Sequence, residues 1–319
     1  MRLIMIATGP FAVSTFRALY ATAHPMLALV TAPVRTHRGE AVAAPSALRQ
    51  IAEEHGTAVF DPEDLNAPAA QSCLAEQAAD LLVVCDYGQI LKPATLAAAR
   101  LGGINLHGSL LPKYRGAAPI NWAVYHGETE SGVSVIHMTP QIDAGPVIAQ
   151  ARTPIGSDET AAELEPRLAE LGAGLIVEAV GLLAEDRAVA LPQDTAQASK
   201  APRLKKTDGL IDWARPAAAI KNQVRAFEPW PKSYTFWRRE HGPSVRLILG
   251  PVQVVPSPDP AAPPGAILKA AEGQLVVAAG QDAVVLRTVQ PAGKRMMSVD
   301  EFLRGHPARP GERLGGETV

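Results

Sequence analysis

The sequence is poor in cysteine and lacks any long apolar run. Two cysteines in 319 residues, Cys73 in a helix-like context and Cys85 in a strand-like one, exclude a disulfide framework and a cysteine-based metal site. No segment approaches the roughly 18 apolar residues of a membrane span. The chain opens on strand-like residues 3–6 with no charged leader and cleavage site. A cytoplasmic protein with no membrane partner is expected. The turn Thr8-Gly9-Pro10-Phe11-Ala12 sits where a dinucleotide phosphate loop would be. It lacks the spacing Gly-x-Gly-x-x-Gly, which argues against a nucleotide-cofactor oxidoreductase.

The length suits two domains, and 47% hydrophobic with 19% charged residues describes a globular chain with a sizeable core. The 28 prolines imply long connections. The net charge of −2 conceals an asymmetry: residues 1–200 carry 13 Lys+Arg against 21 Asp+Glu, and residues 201–319 carry 17 against 11. A basic C-terminal third fits a nucleic-acid-binding appendage, or equally a solvated surface whose charges segregate.

Apolar runs at 3–6, 27–31 and 81–85 alternate with helix-like stretches at 11–23, 45–55 and 69–79. This is the pattern of an α/β unit with a mostly parallel, Rossmann-like sheet. Residues 104–107 read as the next central strand. Residues 133–138 and 146–151 read as a strand pair, and 159–183 as a long closing helix. Residues 191–200 are polar and aperiodic. The expected domains are therefore 1–189, a linker at 190–204, and 205–319. Beyond the linker a helix at 217–227 precedes strands at 245–249, 266–268, 274–278 and 283–289, spaced like a small oligonucleotide-binding (OB)-like β-barrel. Trp213 and Trp230 read as core or interdomain packing.

The most informative run is Gly103-Ile-Asn-Leu-His-Gly-Ser-Leu-Leu-Pro-Lys-Tyr-Arg-Gly-Ala-Ala-Pro-Ile120. Asn105 and His107 are two residues apart, so in a strand they share a face and can act on one bound group. An amide donor can hold a developing oxyanion while an imidazole beside it moves a proton, and acyl transfer to an amine needs both. No serine or cysteine stands in a nucleophile-activating context, so direct attack is expected, and no metal is required.

This run resembles the active-site strand of the folate-dependent formyltransferases. The resemblance implies a third catalytic member, Asp143 in Thr139-Pro-Gln-Ile-Asp-Ala-Gly-Pro146, which would fix the His107 tautomer and support its charged form. It implies 10-formyltetrahydrofolate as co-substrate, held by Ser109, Leu110, Leu111 and Pro112 and by the pteridine-lining segment Asp86, Tyr87, Gly88 and Gln89. The first turn departs from the family's Gly-Thr-Pro pattern, reading Ala7-Thr8-Gly9-Pro10.

Ile211-Asp-Trp213, Gln223-Val-Arg-Ala-Phe-Glu-Pro-Trp-Pro231 and Gly293-Lys-Arg-Met-Met-Ser-Val-Asp-Glu-Phe-Leu-Arg-Gly305 are similar to the members that formylate the α-amine of methionine on initiator tRNA. That resemblance spans essentially the whole chain. It implies phosphate contacts from Arg35 and Arg38 in a basic loop and from Lys205, Lys206, Arg225, Lys294 and Arg295. Rival readings are an amino-sugar or glycinamide ribonucleotide formyltransferase, a formyltetrahydrofolate hydrolase, and a non-catalytic folate- or tRNA-binding protein. A monomer is the default expectation.

Overall fold

The computed structural model describes residues 1–34, 36–37, 40–41, 46–239 and 242–316. Arg35 and Arg38 of the basic loop lie outside the described residues. The chain divides into two compact units. The first comprises Met1–Pro119, Glu130–Pro154 and Leu164–Pro202, and the second Ile120–Thr129, Ile155–Glu163 and Arg203–Val319. Two segments of the N-terminal half thus belong to the second unit. The stretch expected to be a linker clusters up to Pro202 with the first.

The elements of the N-terminal half are β1 (Leu3–Ala7), α1 (Ala12–Tyr20), β2 (Met26–Val30), β3 (Thr36–His37), β4 (Glu40–Ala41), α2 (Ala47–Glu54), β5 (Ala58–Phe60), α3 (Pro68–Glu76), β6 (Leu81–Cys85), α4 (Pro93–Leu96), β7 (Gly103–His107), α5 (Pro119–Tyr125), β8 (Glu130–His137), β9 (Val147–Pro154) and α6 (Ala161–Ala184). Seven strands form one sheet in the order β5-β2-β1-β6-β7-β8-β9. The first five are mutually parallel, while β8 pairs antiparallel with β7 and β9 antiparallel with β8. Every residue of β1 and β6 is buried, which is why both read as unbroken apolar runs.

β7 sits where the sheet changes sense, with β6 parallel on one side and β8 antiparallel on the other. α6 crosses close to it. A side chain at Gly172 would place its Cβ 2.6 Å from Leu106 Cδ2, so glycine there lets helix and strand approach. Thr160 and Glu163 start α6 with a reciprocal capping box: the Thr160 backbone N–H donates to Glu163 Oε2 and the Glu163 N–H to Thr160 Oγ1.

The second unit adds α7 (Ala217–Ala226), β10 (Tyr234–Arg238), β11 (Val245–Leu249), β12 (Val252–Val255), β13 (Ile267–Ala271), β14 (Gln274–Ala278), β15 (Ala283–Leu286), β16 (Thr288–Pro291), β17 (Met297–Ser298), α8 (Val299–Gly305) and β18 (Arg313–Gly315). Two antiparallel sheets form, β17-β16-β11-β10-β18 and β12-β15-β14-β13. The expected strand 283–289 is two strands rather than one: β15 lies in one sheet, β16 in the other, and exposed Arg287 marks the corner. On the far side Ile267 N–H donates to Glu312 O and Leu314 N–H to Gly265 O, joining the sheets into a barrel-like wrap. Trp213 is 3% exposed within this core and donates to Thr235 Oγ1. Trp230, in contrast, is 49% exposed, so the packing reading holds for the first tryptophan and not the second.

Phe302 anchors α8 in this core. It is 1% exposed and lies against Trp237 and His306, with ring centroids 5.5 and 4.9 Å away. Phe302→Ala should lower stability by about 3–5 kcal/mol. Urea unfolding followed by tryptophan fluorescence would measure it, and a loss below about 1 kcal/mol would show that the ring is not a core element.

Candidate active site

Asn105 and His107 project from one face of β7, His107 at 5% exposure. The loop after β8 leaves beside Gly103, where Met138 N–H donates to Gly103 O, and folds back over that face. It delivers Asp143 in a left-handed conformation, φ 49°, which aspartate tolerates better than most residues. The structure therefore brings the three expected residues together. Asn105 Nδ2 is 3.5 Å from Asp143 Oδ1, and His107 Nδ1 is 3.6 Å from Asp143 Oδ2. Gly116 N–H donates to Asp143 Oδ2 at 2.9 Å.

The other imidazole nitrogen, His107 Nε2, lies 2.9 Å from the Tyr114 carbonyl oxygen. A carbonyl only accepts, so Nε2 carries the hydrogen and Nδ1 is the free base. The tautomer is thus set by the Tyr114 backbone rather than by Asp143, which instead faces the nitrogen that takes the proton. Among the described residues the Asn105 amide makes only a long contact, to Asp143, and can turn its N–H toward a developing oxyanion.

Beyond these three residues, the loop after β7 is held by buried polar bonds. Ser134 in β8 is fully buried; its hydroxyl donates to Ser109 O at 2.7 Å and accepts from Leu111 N–H at 3.0 Å and Gln150 Nε2 at 2.8 Å. Gln150 Nε2 also donates to Leu111 O at 2.9 Å. Ser109 Oγ donates to Lys113 O at 2.7 Å. Of the residues expected at the folate, Ser109 and Leu111 are buried while Leu110 and Pro112 are half-buried.

Asp86 ends β6 with φ 49° and accepts from Thr8 N–H and Thr8 Oγ1 through its backbone carbonyl. Its carboxyl lies over Gly9, where a Cβ would fall 1.5 Å from Asp86 Oδ2. Protein packed around that carboxyl raises it from the ordinary aspartate value. Burial, and then the Asp86 charge, raises Glu165 likewise. The amide of Gln89 is spent inside the protein, accepting from Leu65 N–H at 3.0 Å and donating to Glu63 O at 2.8 Å. The Tyr87 hydroxyl is buried without a hydrogen-bond partner among the described residues.

The basic residues separate. Lys205, Lys206, Lys294 and Arg295 are exposed, with Arg295 paired to Glu301 at 2.5 Å. Arg225 corrects the expectation of a phosphate contact. It is 8% exposed and donates to Asn222 Oδ1, Gly156 O and Glu159 O at 2.9, 3.2 and 3.0 Å, and burial lowers its pKa. It ties the chain ahead of α6 to α7. Among the described residues no three His, Cys, Asp or Glu side chains are grouped to hold a metal ion.

Sequence reasoning also missed the stretch after residue 190. Gln193 donates to the Asp143 and Gly145 carbonyls and accepts from Arg115, while Ser199 Oγ accepts from Tyr114 N–H at 2.9 Å. The polarity that made this stretch look like a linker is the polarity that binds it to the site. Ser134 did carry a signal, as a polar residue within the apolar run 133–138.

Residues 1–180 match the formyl transferase family, and residues 203–307 match the formyl transferase C-terminal domain. A methionyl-tRNA formyltransferase of Rhodopirellula baltica is 43% identical over 325 residues, covering 98% of this chain and 96% of the relative. The methionyl-tRNA formyltransferase of Methylococcus capsulatus is 42% identical, covering 99% of this chain and all of the relative. The fold recurs in an N-formyltransferase from Helicobacter canadensis solved with folinic acid and dTDP-3-aminofucose, at TM-score 0.64, 15% identity, 90% of this chain and 98% of that one. It recurs too in HypX from Aquifex aeolicus in complex with tetrahydrofolic acid, at TM-score 0.58, 16% identity and 95% of this chain, which spans about half of HypX.

Ser134→Ala would strand the Leu111 N–H and the Ser109 carbonyl in a dry environment. We expect a stability loss of about 1–3 kcal/mol and faster amide exchange at Leu111. Hydrogen exchange read residue by residue checks this, and an unchanged Leu111 rate would show that the serine does not hold the loop.

Proposed function

We infer that this chain, which belongs to the formyl transferase family, moves a formyl group from a reduced folate to the α-amine of methionine esterified to initiator tRNA, yielding N-formylmethionyl-tRNA. The observation that carries the chemistry is the meeting of the Asn105 amide, His107 Nδ1 and Asp143 on one face of β7. Two full-length relatives at 42–43% identity, both named methionyl-tRNA formyltransferases, support the acceptor.

We propose 10-formyltetrahydrofolate as the donor. It supplies a formyl carbon on a nitrogen that leaves once protonated, and an amide N–H beside an imidazole is the donor set such a transfer requires. The α-amine, with an intrinsic pKa of about 8, is readily made neutral for attack. As its nitrogen bonds to the formyl carbon, Asn105 Nδ2 donates to the oxygen that gains negative charge. His107 Nδ1 takes the proton released by the attacking nitrogen and returns it to the folate nitrogen as the carbon–nitrogen bond to folate breaks. While His107 is charged, Tyr114 O and the Asp143 carboxylate face its two N–H groups. The exposed Lys205, Lys206, Lys294 and Arg295, with Arg35 and Arg38, are the proposed phosphate contacts. A monomeric, cytoplasmic enzyme completes the proposal; among the described residues no helix is long and apolar enough to cross a membrane.

The test is transfer from 10-formyltetrahydrofolate to methionyl initiator tRNA, with elongator tRNA and an amino-sugar nucleotide as parallel acceptors. Formylation should be confined to the initiator tRNA. Asn105→Ala should lower kcat about 10²–10³-fold, the usual cost of one oxyanion donor, and His107→Ala at least as much. Transfer only to the sugar nucleotide would assign the chain to the amino-sugar branch instead.

A further inference from the structure

We infer that Gln193 is a positioning residue for this reaction, its side-chain amide clamping the Asp143 loop to the loop that carries Tyr114 and Gly116. The inference rests on the formyl-transfer reading. Gln193 Nε2 donates to Asp143 O and Gly145 O, both at 2.8 Å, and Gln193 Oε1 accepts from Arg115 Nε at 3.1 Å and Arg115 Nη2 at 2.7 Å. Both amide hydrogens and both oxygen lone pairs are therefore used.

The two ends of this clamp are the two parts of the site that must be in register. One end grips the backbone of Asp143 itself. The other grips Arg115, whose neighbours on either side make the decisive contacts: the Tyr114 carbonyl receives His107 Nε2–H, and the Gly116 N–H binds Asp143 Oδ2. Moving Arg115 relative to Asp143 would shift both nitrogens of His107 against their partners.

The segment bearing Gln193 is itself fastened to the same loops. Leu191 and Val147 exchange two backbone hydrogen bonds at 2.8 Å. Arg115 N–H donates to Ser199 O at 2.8 Å and Ala201 N–H to Arg115 O at 2.7 Å. Gly116 leaves room for this passage, since a Cβ there would lie 2.5 Å from Ala201 O and its φ is 128°. Glutamine is the side chain the geometry requires. Glutamate would keep the acceptor for Arg115 but turn a carboxylate oxygen onto two carbonyl oxygens.

The experiment compares the full chain with Gln193→Ala, Gln193→Glu and Asp194→Ala. Among the described residues the Asp194 carboxylate binds only Ala196 N–H and Gln197 Nε2 of its own turn, so it is the control. Two readouts are taken: steady-state formyl transfer, and ¹⁵N spectra of histidine-labelled protein with His107 assigned from His107→Ala. Both Gln193 variants should lose about ten- to hundredfold in kcat with the KM for the formyl donor little changed. Their His107 nitrogen resonances should move while the other histidines stay in place, and Asp194→Ala should match the wild type. Wild-type kcat in both Gln193 variants, or unmoved His107 resonances in them, would overturn the inference. A wild-type chain inactive with every acceptor would overturn the reaction reading alone, and the resonances would then decide for or against the clamp.

Discussion

The Asp143 carboxylate is the point on which the site is built, because a negative charge drawn to 14% exposure must find donors among the chain segments around it. One oxygen takes the Gly116 N–H at 2.9 Å, and the other has the Asn105 amide at 3.5 Å. The asymmetry matters. The short bond fixes the carboxylate to the loop after β7, whereas the long one leaves Asn105 uncommitted. His107 Nδ1, at 3.6 Å, is placed to gain a charged partner only when it is protonated. The arrangement therefore stabilises the charge distribution of the transfer more than that of the resting site.

Two kinds of force divide the work of holding this geometry. Apolar burial sets the sheet: β1 and β6 are buried at every residue, and α6 is drawn onto Leu106 through Gly172. At about 25 cal/mol per Å² of apolar area, that term dominates stability, but it has no direction and tolerates small shifts. Catalytic distances need directional bonds. The buried Ser134 hydroxyl and the Gln150 amide supply them for the Ser109–Leu111 backbone. Each such bond adds only about 1 kcal/mol net, yet breaking one leaves stranded partners, so the loop has few alternative positions.

Legibility in the sequence follows the same division. The runs 3–6 and 81–85 match β1 and β6 to within a residue because fully buried parallel strands are continuous apolar runs. The strands 245–249 and 274–278 match β11 and β14 for a related reason, since their inner residues are buried between turns. Asn105 and His107 were legible because the side-chain period of a strand is two. Gln193 was not, since its partners are backbone carbonyls and an arginine far along the chain, and no periodicity marks such a contact. Arg225 misled for the opposite reason: charge reads as surface, while this guanidinium is buried against carbonyl oxygens. The expected strand 283–289 hid a corner, because an exposed Arg287 within a strand also reads as an ordinary solvent-facing residue and only the sheet assignment separates β15 from β16.

The basic C-terminal third deserves the same separation of long-range from short-range effects. Its excess of cations acts at a distance whatever their local partners, within a Debye length of about 8 Å at physiological salt. Contact with a phosphate is stricter and needs free donors. Arg225 is buried and spent on carbonyls, and half-buried Arg215 is engaged by Tyr125 and Gln223. Lys205, Lys206 and Lys294 are exposed, as are arginines such as Arg203, Arg304 and Arg309. The net charge of this region thus describes how strongly a polyanion is drawn in. The exposed cations describe where it can be held, and mutations at the two kinds of residue have different physical meanings: loss of buried Arg225 breaks the fold around it, and loss of an exposed lysine or arginine removes a contact.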